Sequence, residues 1–193
     1  EEVFNAVSRT SELGRHVVLH TMDQSKLGYQ SPSDQFIKKL NTLKKLSMQI
    51  IVDSSQLRLD PKDIQNYLSK GYIVTITGSK YFTGPPYCGA LILPKNVTKV
   101  IRSATTSLPK GLTQYYNHSD WPASWSCSND LSDGYNYGSY MRWNAAIVEM
   151  ERYYKTPILY RNMGIEMFCN FVEDSIKDAG FLVPIYGDET KTN

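Results

Sequence analysis

Short apolar runs separated by amphipathic stretches organise the first half of the chain. HVVLH (16–20), MQIIVD (48–53), YIVTIT (72–77) and CGALILP (88–94) have the length and composition of strands, and Pro94 stops the last. Between the first two, PSDQFIKKLNTLKKLS (32–47) carries Phe36, Leu40, Leu43 and Leu46 at spacings of three and four, with lysines between them. That spacing predicts a helix with one apolar side, starting near Ser33 or Asp34. PKDIQNYLSKG (61–71) opens with proline and closes with glycine, the asymmetry of a helix start and stop. Strands alternating with helices of this size predict the α/β class, a mostly parallel sheet flanked by helices. The strands are apolar throughout rather than alternating, which predicts a sheet covered on both faces. The link over 78–87 is too short for a crossover helix, so the fourth strand is expected antiparallel to its neighbour or displaced along the sheet.

The texture changes after residue 95. Residues 103–138 are rich in Ser, Gly, Pro, Asn, Tyr and Trp and read as one long irregular segment, a kind that is usually functional. SYMRWNAAIVEMERYYK (139–155) and LYRNMGIEMFCNFVEDSIKDAG (159–180) read as two helices, and FLVPIY (181–186) as a final strand broken by Pro184. The expected division is therefore an α/β segment with its aromatic loop over 1–138 and a helical segment over 139–193.

Composition narrows the partners. The chain has 193 residues and a formal net charge of +2 from 21 basic and 19 acidic side chains. Such a balance argues against a nucleic-acid surface, which shows a basic excess. No apolar run approaches 18 residues, so no membrane span is expected, and EEVFNAVSRTSELG has no signal-peptide pattern. Three scattered cysteines, Cys88, Cys127 and Cys169, form neither a zinc pattern nor a disulfide framework, so a reducing, intracellular setting, the cytoplasm, is expected. Cys88 and Cys169 read as packing residues. Cys127, in WSCSND, reads as incidental, with a reactive thiol as the sharper alternative. His16 and His20 make a poor metal site by themselves, and His20 reads as a core residue. Arg142 and Arg161 read as helix-surface ion-pair partners rather than carboxylate binders. The aromatics of 115–140, including Trp121 and Trp125, fit an interface, a lid, or packing over the sheet.

Ligands of open α/β sheets bind beyond the carboxyl ends of the strands. There the chain places Asp53 and Gln56 (IIVDSSQ) and Thr77, Ser79 and Lys80 (VTITGSK), with Ser25 in the loop after the first strand. Adjacent parallel strands bring Asp53 and Lys80 to one edge. A desolvated lysine amine forms a Schiff base with an aldehyde. An aspartate holds a protonated pyridine nitrogen, and Thr77, Ser79 and the Gly78 backbone fit a phosphate. Aldehyde, pyridine and phosphate together describe pyridoxal 5'-phosphate, an electron sink that the protein orients. Asp53 also fits a simple cap of the DSSQ turn, and Thr77 and Ser79 also fit ordinary turn residues.

IIVDSSQLR followed by TGSKYFTGPPYCGALILP resembles the aspartate and lysine motifs of fold-type I pyridoxal-phosphate enzymes, in the class V aminotransferase and cysteine desulfurase group. The resemblance implies part of that family's large domain. It makes Lys80 the cofactor lysine, Asp53 the partner of the pyridine nitrogen, Gln56 a contact of the ring hydroxyl, and Thr77 and Ser79 phosphate ligands. Ser79 stands where the family often has histidine. Ser25, in LHTMDQSKLGYQSP, is the residue implied near the ring oxygen. The family's enzymes are about twice as long, and their glycine/threonine phosphate loop, ring-stacking residue and complete C-terminal domain are not recognisable here. The chain is therefore expected to be a piece of a larger protein, or one whose site is completed by a homodimer partner or a complementary chain. The expected substrate is an amino acid or related amine, with transamination and lyase or desulfurase chemistry equally open. The rival expectation is a non-catalytic interaction subunit or a degenerate relative that keeps the sheet without a complete cofactor site.

Overall fold

The computed structural model describes residues 1–43, 46–104 and 107–182. Four strands, β1 (Val17–Met22), β2 (Met48–Ser54), β3 (Ile73–Thr77) and β4 (Gly89–Ile92), form one open mixed sheet in the order β1-β2-β3-β4. The first three are parallel, with Met22 beside Asp53 and Asp53 beside Thr75. β4 returns antiparallel to β3 and places Leu91 beside Thr75 and Gly89 beside Thr77. The short 78–88 link permits only this return.

The helices are α1 (Glu2–Glu12), α2 (Asp34–Leu40), α3 (Pro61–Ser69), α4 (Lys95–Ser103), α5 (Tyr137–Lys155) and α6 (Ile158–Ala179). α2 starts where Ser33 Oγ accepts the Phe36 N–H, and it ends earlier than the leucine spacing predicts. α3 opens on a capping box between Asp60 and Asp63 with Pro61 in its first turn, and Gly71 follows it at φ +81°. α1 and α4 were not expected. The inward residues of α1 end in Ser11, which interrupts the apolar spacing. α4 is built on β-branched Val97, Thr98, Val100 and Ile101, weak helix formers. Three short 3₁₀ turns occupy Leu112–Gln114, His118–Asp120 and Ser126–Asp130 of the irregular segment. Of the strand expected over 181–186, residues 183–186 lie outside the described residues.

The core gathers Val7 of α1 and Ile37 and Leu40 of α2 over Val17, Leu19, Ile50 and Val52. It covers one face of the sheet. The expectation of two covered faces fails along β1, where buried Val17, Leu19 and Thr21 alternate with exposed Val18, His20 and Met22. A strand that reads as continuously apolar is thus half-exposed, and His20, expected in the core, stands on the open face with Asp53, Thr75 and Thr77. The chain divides into two compact units, Glu1–Ala146 and Ile147–Asn193, with the division inside α5. Among the described residues no helix is long and apolar enough to cross a membrane.

Candidate functional site

The carboxyl ends of β1 to β3 lie side by side, and the Asp23 N–H donates to the Asp53 carbonyl at 3.0 Å, tying the loop after β1 to the end of β2. That loop is pinned from α3. Tyr67 Oη donates to Asp23 Oδ2 at 2.6 Å and accepts from Gln30 Nε2 at 3.4 Å. Burial first, then the Asp23 hydrogen bond and the charges of Asp23, Asp34 and Asp63, push the Tyr67 hydroxyl above the ordinary tyrosine range. It remains protonated and donating.

Asp53 is held through a single oxygen. Oδ1 accepts the Ser55 N–H at 2.9 Å, the Ser55 hydroxyl, and the Thr75 hydroxyl at 3.4 Å. Partial burial alone would raise its pKa. The Ser55 hydrogen bonds, the Lys80 charge and the Thr75 hydroxyl outweigh burial and hold it below the usual carboxylate value. Lys80 is therefore within electrostatic reach of Asp53, yet among the described residues no ion pair within 4.0 Å joins them. No hydrogen bond engages Asp53 Oδ2, the Gln56 amide, the Ser79 hydroxyl or the Lys80 ammonium among those residues.

The other expected ligands are differently placed. Thr77 Oγ1 donates to the Ser55 carbonyl at 2.8 Å, so its proton ties β3 to the turn after β2. Ser25 Oγ accepts the Tyr29 N–H at 3.0 Å and closes its own turn at Gly28. Lys80, exposed, begins the turn after β3, where the Thr83 N–H donates to its carbonyl at 3.0 Å. Two glycines close that turn. The Gly84 N–H donates to the Gly78 carbonyl, and a side chain on either glycine would strike Ala146.

Two cavities flank Asp53. One of about 410 Å³ is lined by Asp53 itself with His20, Met22 and Phe36. The other, of about 1200 Å³, has β3, β4 and Ser55 as its floor and the aromatics of the 112–143 region as its walls. Lys80, Gln56 and Ser79 line neither. Except for Trp143, which reads as part of a helix, these wall aromatics stand out in the sequence without a defined role. The structure gathers Tyr116, Trp121, Trp125, Tyr135, Tyr137, Tyr140 and Trp143 around one space.

Of the remaining reactive side chains, two of the three cysteines are packed away. Cys88 is buried, and burial pushes its thiol up despite the Gly78 backbone hydrogen bond and the Arg142 charge. Cys127 is buried in its 3₁₀ turn. Cys169, expected to pack, is exposed on α6. Arg161, expected in an ion pair, lies over the rings of Tyr153 and Tyr154 at 4.5 and 5.4 Å. The described residues contain no cluster of three or more metal-ligating side chains.

The fold and these strand ends define an α/β protein with a carboxylate and an amine on one edge of a mixed open sheet. Searches against protein-family models, curated proteins and solved structures find no match to this chain.

Proposed function

We propose that the chain carries part of a pyridoxal 5'-phosphate site of the fold-type I kind and acts on an amino acid or a related amine. The observation that carries this reading is the state of Asp53: ionised, fixed through Oδ1, open at Oδ2, and near but not paired with the Lys80 amine. A carboxylate in that state suits a protonated pyridine nitrogen. A hydrogen bond to a charged group of this sort is worth roughly 1.5–3 kcal/mol. The unengaged Gln56 amide and Ser79 hydroxyl fit contacts to the ring hydroxyl and the phosphate. Thr77 does not fit a phosphate donor, because its proton is committed to Ser55. In this reading Lys80 holds the cofactor and moves a proton at the substrate's α carbon, while Asp53 orients the ring. The bound cofactor supplies an electron sink for the α carbon. Completion by a homodimer partner or a complementary chain belongs to the same proposal.

A specific observation favours the rival, a binding module without chemistry. Lys80 stands exposed and lines neither cavity. One experiment separates the two. Pyridoxal phosphate is added to the chain, reduced with borohydride, and the modified lysine mapped by mass spectrometry. The expected result is a yellow protein with one dominant pyridoxyl adduct on Lys80. Lys80→Ala loses it, while Asp53→Ala keeps the adduct but loses turnover. Labelling spread evenly over surface lysines, unchanged in Lys80→Ala, rejects the cofactor site.

A further inference from the structure

We propose that the larger cavity is a binding site for a neutral, planar aromatic molecule. It goes beyond the cofactor reading, because such binding requires neither Lys80 nor pyridoxal phosphate. The space, about 1200 Å³, is large enough for an organic molecule of several rings.

Several of the wall rings are left in water. Tyr137 and Tyr140 are 69% and 66% exposed, and Leu91 on the floor is 63% exposed. Apolar surface left in water costs about 25 cal/mol per Å², and a flat ring stacked among these groups removes that cost on both partners. Aromatic pairs add a geometric preference for stacked or edge-on contact. The walls are also held in place before any ligand arrives. Trp121 meets Tyr116 and Trp125 edge-on, with centroids 6.0 and 5.5 Å apart. Around them, the Leu108 N–H donates to Asp130 and the His118 N–H to the Ser132 carbonyl.

The charge pattern sets the ligand class. Among the described residues Asp120 is the one charged side chain lining the cavity, and its carboxylate accepts the Asn117 N–H at 2.8 Å. Arg142 does not line it. An anion would lose its hydration and meet no positively charged side chain among the described lining residues. A cation would give up far more hydration than a neutral ring on entering, with one Asp120 oxygen already accepting the Asn117 N–H. A neutral ring gives up little hydration on entering. Ser55 and Thr75 line the cavity and also donate to Asp53, so the occupant sits beside the proposed cofactor carboxylate.

The test uses N-phenyl-1-naphthylamine, an uncharged dye that brightens on leaving water, titrated into the full chain. Competitors are 2-naphthol and 2-naphthoate, which share a ring system and differ in charge. Saturable brightening is expected, with displacement by 2-naphthol and competition by 2-naphthoate at least about tenfold weaker. Tyr137→Ala and Leu91→Glu alter exposed side chains, so the fold is preserved, and each should weaken dye binding several-fold. Lys80→Ala should leave binding unchanged. So should Phe168→Ser with Phe171→Ser, which removes two exposed phenyl rings of α6 that do not line the cavity. Absence of saturable brightening, equal competition by 2-naphthoate, or binding lost with the α6 rings and indifferent to Tyr137 and Leu91 would overturn the proposal. Failure of the cofactor reading is separately visible as a missing Lys80 adduct beside intact dye binding.

Discussion

A carboxylate that accepts three hydrogen bonds through one oxygen titrates differently from a free one, and Asp53 makes the difference measurable. Its pKa lies below the usual 3.8 in the folded chain, and the Lys80 charge is one of the causes. A depressed folded pKa contributes stability above the unfolded value, and that contribution is lost as pH falls through the folded one. The urea midpoint of the native chain should therefore exceed that of Asp53→Asn at neutral pH. The gap should close as the pH drops below about 4, the unfolded aspartate value. Carboxyl-resonance titration adds the geometric half: Lys80→Ala should raise the Asp53 pKa, and an unmoved value would place the lysine out of reach. That Asp53 and Lys80 share an edge was legible in the sequence, because strand ends next to each other in a parallel sheet lie together whatever the side chains do. The partner of the Thr77 hydroxyl was not. A hydroxyl at a strand end chooses between a ligand and the nearest carbonyl, and nothing in VTITGSK reveals that the Ser55 carbonyl lies 2.8 Å away.

The turn from β3 to β4 shows how an element depends on what packs beneath it. A Cβ on Gly78 would lie 2.5 Å from Ala146 Cβ and 2.9 Å from Cys88 Sγ, and one on Gly84 would lie 2.7 Å from the Gly78 carbonyl oxygen. The backbone of this turn lies directly against α5. Gly78→Ala should cost about 1–3 kcal/mol in chemical denaturation, the usual cost of overpacking. Adding Ala146→Gly should recover part of the loss at Gly78, although glycine inside a helix itself costs about 1 kcal/mol. Purely additive losses would show that the two sites do not touch. The antiparallel return of β4 was readable from the length of this link, and α3 from its proline and glycine. The half-exposed sheet was not readable. The VVL that opens VVLHTM is continuously apolar, yet burial alternates because α1 and α2 supply cover to one side only. α1 escaped for the complementary reason: its inward row closes on Ser11, a polar residue that is 6% exposed.

Across the whole chain, apolar burial is distributed unevenly between the two compact units. The first holds the sheet, the helices packed on it and nearly all of the buried hydrophobic side chains. In the second, Ile147–Asn193, α6 runs for 22 residues without a buried one, and Met167, Phe168 and Phe171 are 69%, 67% and 70% exposed. Its described interactions are local: the Lys177–Asp174 pair at 3.3 Å, the Ser175 hydroxyl on the Phe171 carbonyl, and Arg161 over two tyrosine rings. Exposed pairs of this kind contribute at most about 1 kcal/mol, and most helical stability in proteins comes from tertiary packing of an apolar face. Backbone amides exchange with solvent through local opening wherever tertiary burial is thin, and only through global unfolding where it is dense. Hydrogen–deuterium exchange followed by mass spectrometry should therefore show the α6 peptides exchanging far faster than those of β2, whose Ile50 and Val52 are 3% and 2% exposed. Mild denaturant should accelerate the β2 peptides and leave α6 almost unchanged, because opening α6 exposes little new surface. Protection of α6 equal to that of β2 in the isolated chain would mean that its apolar side chains are covered in solution, and the separation of burial between the two units would then be wrong.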